Sequence, residues 1–225
     1  MLINSKSKEY LTKLLDDPSM EKEIDSENWD KVYKYFLHMI NGEQLAFTDK
    51  FEIHSDLTRF LLESGINPLD GRDHISGYTF YGEYDLGELP VIPSSIKKIN
   101  SRAYTKVVTH EPMEITIPGT VETVDTYAFS ECNDLTKVII EDGVKEIESF
   151  AIFDCKNINY IELPNSLTRL DYIVSAMDRS DLNNIVVKFN GSADEFIKLI
   201  NFSNSMNYFS RLRVLDKNNN QISWS

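Results

Sequence analysis

Two adjacent stretches of the chain read ITIPGTVETVDTYAFSECNDLTK (115–137) and VIIEDGVKEIESFAIFDCKNINY (138–160). They align without a gap at an offset of 23 residues. The aligned positions carry similar apolar side chains, in the pairs Ile117 with Ile140, Val121 with Val144, Val124 with Ile147, Ala128 with Ala151, and Cys132 with Cys155. Self-similarity at a fixed period indicates a repeat protein, in which each copy forms one structural unit.

Further copies lie on both sides of this pair. The stretch 161–183, IELPNSLTRLDYIVSAMDRSDLN, continues the series with Leu163, Leu167, Leu170 and Val174 at the corresponding positions. Upstream, PVIPSSIKKINSRAY (90–104) is another copy, with Ile92, Ile96, Ile99 and Ala103. The shorter FYGEYDL (80–86) matches FSECNDL (129–135) and is interpreted as a half-copy. The pattern predicts roughly four repeats and a partial one.

Each copy predicts one coil of a solenoid, made of a short strand, a turn and a return segment. The alternation Ile115-Thr116-Ile117 has the two-residue period of a strand whose first and third side chains face inward. Pro118 follows and suits a strand end because it lacks a backbone donor. A single coil leaves its apolar side in water, so burial of these side chains requires that successive coils stack.

The repeated pattern I-x-I-P-x-x-V-x-x-I-x-x-x-A-F-x-x-C-x-x-L resembles that of the BspA-like leucine-rich repeat family. Residues 115–135 match it at every position, and residues 138–158 match it at all positions except the Pro and the Phe. The resemblance extends over 78–221, because residues 186–221 are similar to the strand, Gly-Ser turn, short helix and last strand that close such proteins. It implies a leucine-rich-repeat solenoid of short parallel strands over 78–190 and a mixed C-terminal cap over 191–225.

The first 77 residues show the helical period instead. Three amphipathic stretches, at 10–15, 29–40 and 57–61, each follow a serine that suits an N-cap. We predict an α-helical N-terminal region over 1–77, and therefore an α+β chain. The helices form either their own domain or a cap on the first coil, and we favour the cap because Pro68 and Gly71 leave only a short connection before Phe80. The stretch FLLESGINPLD (60–70) resembles small leucine-rich-repeat proteins encoded by phages. Acidic residues are bunched at the start of the second helix and form a candidate acidic patch of Glu21, Glu23, Asp25, Glu27 and Asp30.

The charge and hydropathy of the chain exclude several classes of partner. The formal net charge is -13, which argues against direct nucleic-acid binding, because that affinity comes chiefly from Lys and Arg. No apolar run approaches the roughly 18 residues that a membrane-spanning helix needs. The start, MLINSKSKEYLTKLL, lacks the unbroken apolar stretch of a signal peptide. We therefore expect a cytoplasmic protein without membrane contact.

No arrangement of residues predicts catalysis, a cofactor or a metal site. The four histidines stand singly, and the two cysteines lack the CxxC spacing of a zinc site. No glycine-rich phosphate-binding motif and no GxSxG motif occur. We expect a protein that is not an enzyme and that needs no cofactor.

The cysteines and several aromatic residues have two interpretations each. Stacked one coil apart, Cys132 and Cys155 would lie roughly 5 Å apart, which would suit a redox pair. We favour the other interpretation, an inward ladder of small buried side chains, which the family resemblance also implies. The aromatic residues Tyr127, Phe129, Phe150 and Phe153 are interpreted as packing residues, since no Lys or Arg are interleaved with them as in a platform for stacked bases.

The strands predict a candidate partner-binding face on their outer side. If Ile115, Val138, Ile161 and Ile185 face inward together with Ile117, Ile140, Leu163 and Val187, the residues between and beside them face outward. Two exposed columns result, one of Thr116, Ile139, Glu162 and Val186 and the other of Glu114, Lys137, Tyr160 and Asn184. Exposed apolar and aromatic side chains often mark interfaces. The alternative is that Ile, Val and Tyr occur there only because they favour strands.

These observations lead to two hypotheses about function. The first is a non-catalytic protein–protein interaction module, whose partner has a basic surface that complements the acidic chain. The second is a phage-type inhibitor or decoy of a host nucleic-acid-processing defence enzyme, acting through the acidic patch as a mimic of DNA. The sequence does not specify the oligomeric state.

Overall fold

The chain divides into two units, Met1–Arg72 and Asp73–Ser225. The computed structural model describes residues 67, 69, 73–75, 77, 79–81, 89–109, 111–175, 181–202 and 205–224. The predicted N-terminal helices and the acidic patch at residues 21–30 lie outside the described residues, so both stay predictions.

Short parallel strands of the second unit form three five-stranded sheets, which we call walls 1, 2 and 3. Wall 1 contains β1 (His74–Ile75), β3 (Lys98–Ile99), β6 (Thr123–Val124), β9 (Glu146–Ile147) and β12 (Arg169–Leu170). Wall 2 contains β2 (Phe80–Tyr81), β4 (Tyr104–Thr105), β7 (Phe129–Ser130), β10 (Ile152–Phe153) and β13 (Val174–Ser175). Wall 3 contains β5 (Met113–Ile117), β8 (Leu135–Ile140), β11 (Tyr160–Leu163), β14 (Val186–Phe189) and β15 (Arg213–Leu215). A 3-10 helix (Asp181–Asn184) and the helices α1 (Ala193–Phe202) and α2 (Met206–Phe209) complete the described elements.

The walls arise because each coil passes through wall 3, then wall 1, then wall 2, and the next coil repeats the path. Thr123 pairs with Glu146 and Glu146 with Arg169, which is the 23-residue offset found in the sequence. The predicted solenoid of short parallel strands is confirmed. β1 pairs with β3 in the same register, so the stack includes His74 and begins before residue 78, where we placed the first repeat.

The core consists of columns of apolar side chains, one residue from each coil. In wall 1 the column is Ile75, Ile99, Val124, Ile147 and Leu170, all at most 1 % exposed. The residues that the sequence predicts to face inward in wall 3 are likewise buried. One predicted position differs: Val174 pairs with Ile152 and does not occupy the position of Ala151. The coil that contains Leu170 is one residue shorter between Leu170 and β13 than the coil before it, so Ile173 occupies that position and accepts the bond from the Ile152 N–H.

Wall 2 carries a buried column of stacked aromatic rings. Phe80 and Tyr104 stack with ring centroids 4.6 Å apart, and Tyr104 and Phe129 stack at 4.8 Å. Phe80 pairs with Tyr104 and Tyr104 with Phe129, so Phe80 occupies the position that the half-copy predicts, whereas residues 82–86 lie outside the described residues. The hydroxyl of Tyr104 is buried and has no hydrogen-bond partner among the described residues. Its burial raises the pKa of Tyr104, so the group stays protonated.

Replacing Tyr104 by Phe is expected to stabilise the protein. The substitution removes an unpaired buried hydroxyl and leaves a ring of the kind found at the same position in the coils on either side, Phe80 and Phe129. The free energy of unfolding should rise by about 1–2 kcal/mol, measured by urea denaturation followed by circular dichroism. Tyr160→Phe is the control, because the Tyr160 hydroxyl has a partner. A loss of stability on Tyr104→Phe would contradict the assignment.

The corner between walls 1 and 2 holds bulky residues in the left-handed backbone region. Arg102, Tyr127 and Phe150 have φ angles of 59°, 59° and 58°, a region that large side chains seldom adopt. Hydrogen bonds between coils impose it: the Arg102 N–H donates to the Tyr127 carbonyl, and the Tyr127 N–H to the Phe150 carbonyl, both at 3.0 Å. The corner is thus determined by stacking and not by local preference.

The C-terminal segment closes the stack in the order that the family resemblance implies. After β14, Gly191 and Ser192 lead into α1, where Ser192 and Glu195 form a capping box: the Ser192 N–H donates to Glu195 Oε2 (2.7 Å) and the Glu195 N–H to Ser192 Oγ (3.3 Å). Hydrogen bonds from Ser192 hold the pKa of the Glu195 carboxyl below its usual value. β15 then pairs with β14 and extends wall 3.

Candidate partner-binding face

The outer side of wall 3 brings most of the predicted face residues together. Two columns run across the strands. In column 1, Glu114 pairs with Lys137, Lys137 with Tyr160, and Tyr160 with Val186. In column 2, Thr116 pairs with Ile139, Ile139 with Glu162, and Glu162 with Lys188. Both columns alternate with buried neighbours, as in the MEITI strand β5, where Glu114 and Thr116 are exposed.

The predicted register of β14 against β11 is wrong. Val186 belongs beside Tyr160 and not beside Glu162, where Lys188 lies instead. Asn184 lies in the 3-10 helix before β14 and does not belong to either column. The inward pairing shifts in the same way, because Val187 pairs with Ile161 and Phe189 with Leu163. The cause is that the coil beginning at Tyr160 is longer: Ile161 and Val187 are 26 residues apart, whereas Val138 and Ile161 are 23 apart.

A chain of polar contacts links the two columns. Lys137 Nζ lies 2.9 Å from Glu114 Oε2 and 5.9 Å from the ring centroid of Tyr160. The Tyr160 hydroxyl donates to Glu162 Oε2 at 3.1 Å, and Asn190 Nδ2 donates to Glu162 Oε1 at 2.9 Å. Partial burial and the neighbouring Glu162 carboxylate raise the pKa of Tyr160. These contacts orient the side chains without a partner, so little conformational entropy would be lost when a partner binds.

Apolar surface lies beside this polar chain. Ile139 and Val186 are half-buried residues on the outer side of their strands. Lys188, which would continue column 2, is covered: its Nζ donates to the carbonyl of Asp216 and to Asn219 Oδ1. The accessible part of the face therefore runs from β5 to β11 and includes Val186. Its arrangement, an amphipathic tyrosine and an isoleucine among oriented charges, suits recognition of another protein surface.

The two cysteines form the predicted inward ladder. Both thiols are buried and free, and they follow β7 and β10, which pair with each other. A hydrogen bond to Cys132 and burial raise the pKa of the Cys155 thiol. A raised pKa disfavours the reactive thiolate of Cys155. Because both cysteines are buried, they pack as small apolar core side chains.

Aromatic residues at the left-handed corner form a row. The sequence analysis interprets two of them, Tyr127 and Phe150, as packing residues. Tyr127 and Phe150 stack at 6.2 Å between ring centroids, and Phe150 and Tyr172 stack at 6.3 Å. Arg102 lies 5.8 Å from the Tyr127 ring centroid. Phe129 is instead fully in the core. The row is half-exposed, and Tyr172, which the sequence analysis did not select, is 38 % exposed.

A groove at the edge of wall 3 is a feature that sequence reasoning missed. It measures about 700 Å³ and lies between β5 and the segment Leu89–Ile92. Pro90 and Pro118 mark this edge in the sequence. Their effect on the edge can be inferred only when it is known which residues of neighbouring coils face each other.

Within the part of the chain that the structure describes, no group of three or more His, Cys, Asp or Glu side chains is placed to hold a metal ion. No helix among these residues has the length and apolar character needed to cross a bilayer.

Comparison with known families identifies the repeats. A model of the BspA type leucine rich repeat region matches residues 73–208 in six copies. The match covers more than half of the chain, so the chain belongs to the family of BspA-type leucine-rich-repeat proteins, as the sequence pattern predicts. Leucine-rich repeats of this kind are repeat modules suited to protein–protein interaction.

Among solved structures, a leucine rich cell surface protein from Faecalibacterium prausnitzii A2-165 is similar to the chain. The sequences are 16 % identical, the TM-score is 0.43, and the similarity covers 58 % of this chain and 33 % of that protein. The chain thus spans about a third of the length of that relative. A search of curated proteins finds no significant match.

Proposed function

We propose that the chain is a non-catalytic module that binds a partner protein with the outer side of wall 3. The observation that carries the proposal is the in-register surface of Lys137, Ile139, Tyr160 and Glu162, in which apolar and aromatic groups lie among charges that are already oriented. A repeat stack is well suited to this task, because each added coil extends the same surface. A partner with a basic surface would complement a chain whose formal net charge is -13.

The face is expected to lose its partner when its apolar groups become charged. Immobilised chain captures the partner from a lysate of the source cells, and the affinity of the identified protein is then measured for Ile139→Asp and Tyr160→Asp. Each should weaken binding by more than tenfold, since central interface residues contribute roughly 2 kcal/mol or more. Thr168→Asp is the matched control, because it adds the same charge at an exposed position C-terminal to wall 3 in its coil.

Two outcomes would overturn this assignment. The first is unchanged affinity in both face variants while circular dichroism shows them folded. The second is loss of affinity on neutralising Glu21, Glu23 and Asp25 without an effect of Tyr160→Asp. That second result would favour the inhibitor or decoy of a nucleic-acid-processing defence enzyme, together with a steep loss of binding in added salt.

We propose a cytoplasmic location for the module. Two thiols in adjacent coils remain free, which suits a reducing compartment. The similar protein from Faecalibacterium prausnitzii A2-165 is a leucine rich cell surface protein, and cell fractionation distinguishes the two locations. Fractionation of the source cells should place the chain in the soluble cytoplasmic fraction, and recovery at the cell surface would contradict the proposal.

A further inference from the structure

We infer that the free edge of β5 binds an extended peptide of a partner protein, which adds to wall 3 as a further strand. The groove of about 700 Å³ follows this edge, between β5 and the segment Leu89–Ile92 of the preceding coil, which forms no strand. Its volume is within the range of pockets that hold ligands. The inference deepens the proposed function, on which it rests, by naming a second contact and the chemistry of the segment that makes it.

The backbone of β5 offers unused hydrogen-bonding groups to the groove. β5 is the terminal strand of wall 3, and β8 pairs with its other side. The carbonyl of Ile117 accepts the Glu141 N–H at 3.0 Å, so alternate residues Ile115 and Ile117 direct their backbone groups toward β8. The N–H and C=O groups of Glu114 and Thr116 therefore point into the groove. In the described part of the chain, no strand lies on that side.

Two prolines explain why the preceding coil does not close the edge. The Glu141 N–H donates to the Ile117 carbonyl in the coil before it. Pro118 occupies the position of Glu141 one coil earlier and has no N–H, so the equivalent bond to the Ile92 carbonyl has no donor. Pro90 corresponds to Ile115 and lacks the N–H that would donate to the Glu114 carbonyl. The junction between β8 and β11 has only one such proline, Pro164. It shortens the β8–β11 ladder by one pair but leaves the ladder in place. Two missing donors at one junction leave the edge open.

The side chains around the groove define the peptide. Ile92, Met113 and Ile115 lie at its inner side and are at most 5 % exposed. Glu111 and Glu114 lie at its outer rim and are exposed. Because side chains of a strand alternate between its two faces, a strand bound here would direct every second residue at the apolar side and the others toward the acidic rim. The matching peptide alternates apolar and basic residues.

Charge also decides between a foreign peptide and a second copy of this chain. Each copy carries a formal net charge of -13, so two copies repel each other, and the rim of the groove is acidic. A basic partner segment gains from the same field. Addition of a strand to a sheet edge is a general way to bind extended peptides, with affinity from the main chain and specificity from alternate side chains.

The test uses the full chain and a short capped peptide in which valine alternates with lysine. Fluorescence anisotropy gives the affinity, and amide NMR spectra show which residues respond. The amides of Met113–Thr116 should shift, and exchange of the Thr116 N–H with solvent should slow. Thr116→Pro removes only an N–H that faces the groove, so the ladder with β8 remains intact and affinity should fall roughly tenfold. Thr116→Ala keeps the N–H and should bind within about twofold of the wild type.

A second pair of peptides makes the result independent of folding. N-methylation of the valine amides, or of the lysine amides in a sister peptide, removes the donors on one side of the strand at a time. One of the two methylated peptides should lose binding and the other should keep it. Equal binding of both, absence of binding by the parent peptide, or shifts confined to the Lys137–Glu162 surface would overturn the inference. So would a concentration-dependent dimer that Thr116→Pro abolishes, because the occupant would then be a second copy.

The same variants separate this inference from the proposed function. If the outer side of wall 3 is the wrong face but the groove is correct, Tyr160→Asp leaves both partner and peptide binding unchanged, while Thr116→Pro weakens both. If the groove is wrong and the face is correct, Tyr160→Asp weakens partner binding, and the alternating peptide neither binds nor competes with the partner.

Discussion

A chain with Val138→Asp is expected not to fold at neutral pH, whereas a chain with Ile139→Asp, one residue further along β8, is expected to keep the fold. Val138 is 0 % exposed and lies between Ile115 and Ile161 of the adjacent coils. A carboxylate there would be buried without a cationic partner, at a cost of several kcal/mol. That cost is a large part of the roughly 5–15 kcal/mol by which folded proteins are stable.

The position in the stack increases the effect. In a solenoid, each coil is stabilised mainly by its two neighbours, and β8 lies between β5 and β11. Disruption at Val138 therefore removes contacts on both sides. Circular dichroism and size-exclusion chromatography of the two variants measure the outcome. A folded Val138→Asp chain, or an unfolded Ile139→Asp chain, would show that the two residues do not face the sides assigned to them.

The fold could be predicted from the sequence because each coil repeats the same buried positions. Ile117, Ile140 and Leu163 recur every 23 residues, and only stacking can bury all three. The same regularity predicts from the sequence that Lys137 lies beside Tyr160 and Ile139 beside Glu162, and the strand pairing agrees. Prediction therefore succeeded where the coil length was constant.

It failed where the coil length changes. The coil between β11 and β14 is longer than the preceding ones, and the sequence offers no regular position from which to count the added residues. Val186 and Asn184 were consequently misplaced, although Ile185 and Val187 on either side of Val186 are aliphatic, as in a buried strand. Alternation alone cannot detect a shift by two residues, because such a shift leaves the inward and outward sides unchanged.

Backbone geometry imposed by stacking was also beyond sequence reasoning. Tyr127 and Phe150 adopt the left-handed conformation that residue type argues against, since bonds from neighbouring coils hold their corners. The open edge of β5 is a similar case. A proline at residue 90 indicates a missing donor, but the acceptor that loses it, Glu114, is identified only after the coils are aligned in space.

Two glycines mark the closest approach of neighbouring coils and lead to the second large expected effect. A Cβ on Gly143 would overlap the carbonyl oxygen of Gly119, and a Cβ on Gly119 would overlap that of Asp142. Gly143 also has a φ of 122°, which side chains rarely tolerate. Both overlaps involve backbone atoms that are held by the β5–β8 ladder, so relief requires that the coils move apart.

Gly143→Ala is expected to lower the free energy of unfolding by about 3 kcal/mol, the sum of backbone strain and overpacking. Gly119→Ala should cost less, because its backbone conformation suits alanine and only the overlap remains. Asp142→Ala, an exposed neighbour that already carries a Cβ, is the control and should change stability by less than about 0.5 kcal/mol. Urea denaturation of the three variants measures the order. If Gly143→Ala were as stable as the control, the two coils could not approach each other at Gly119 and Gly143 as closely as we describe. The groove beside β5 shares this coil, so a shift of β5 in Gly143→Ala should also alter binding of the alternating peptide.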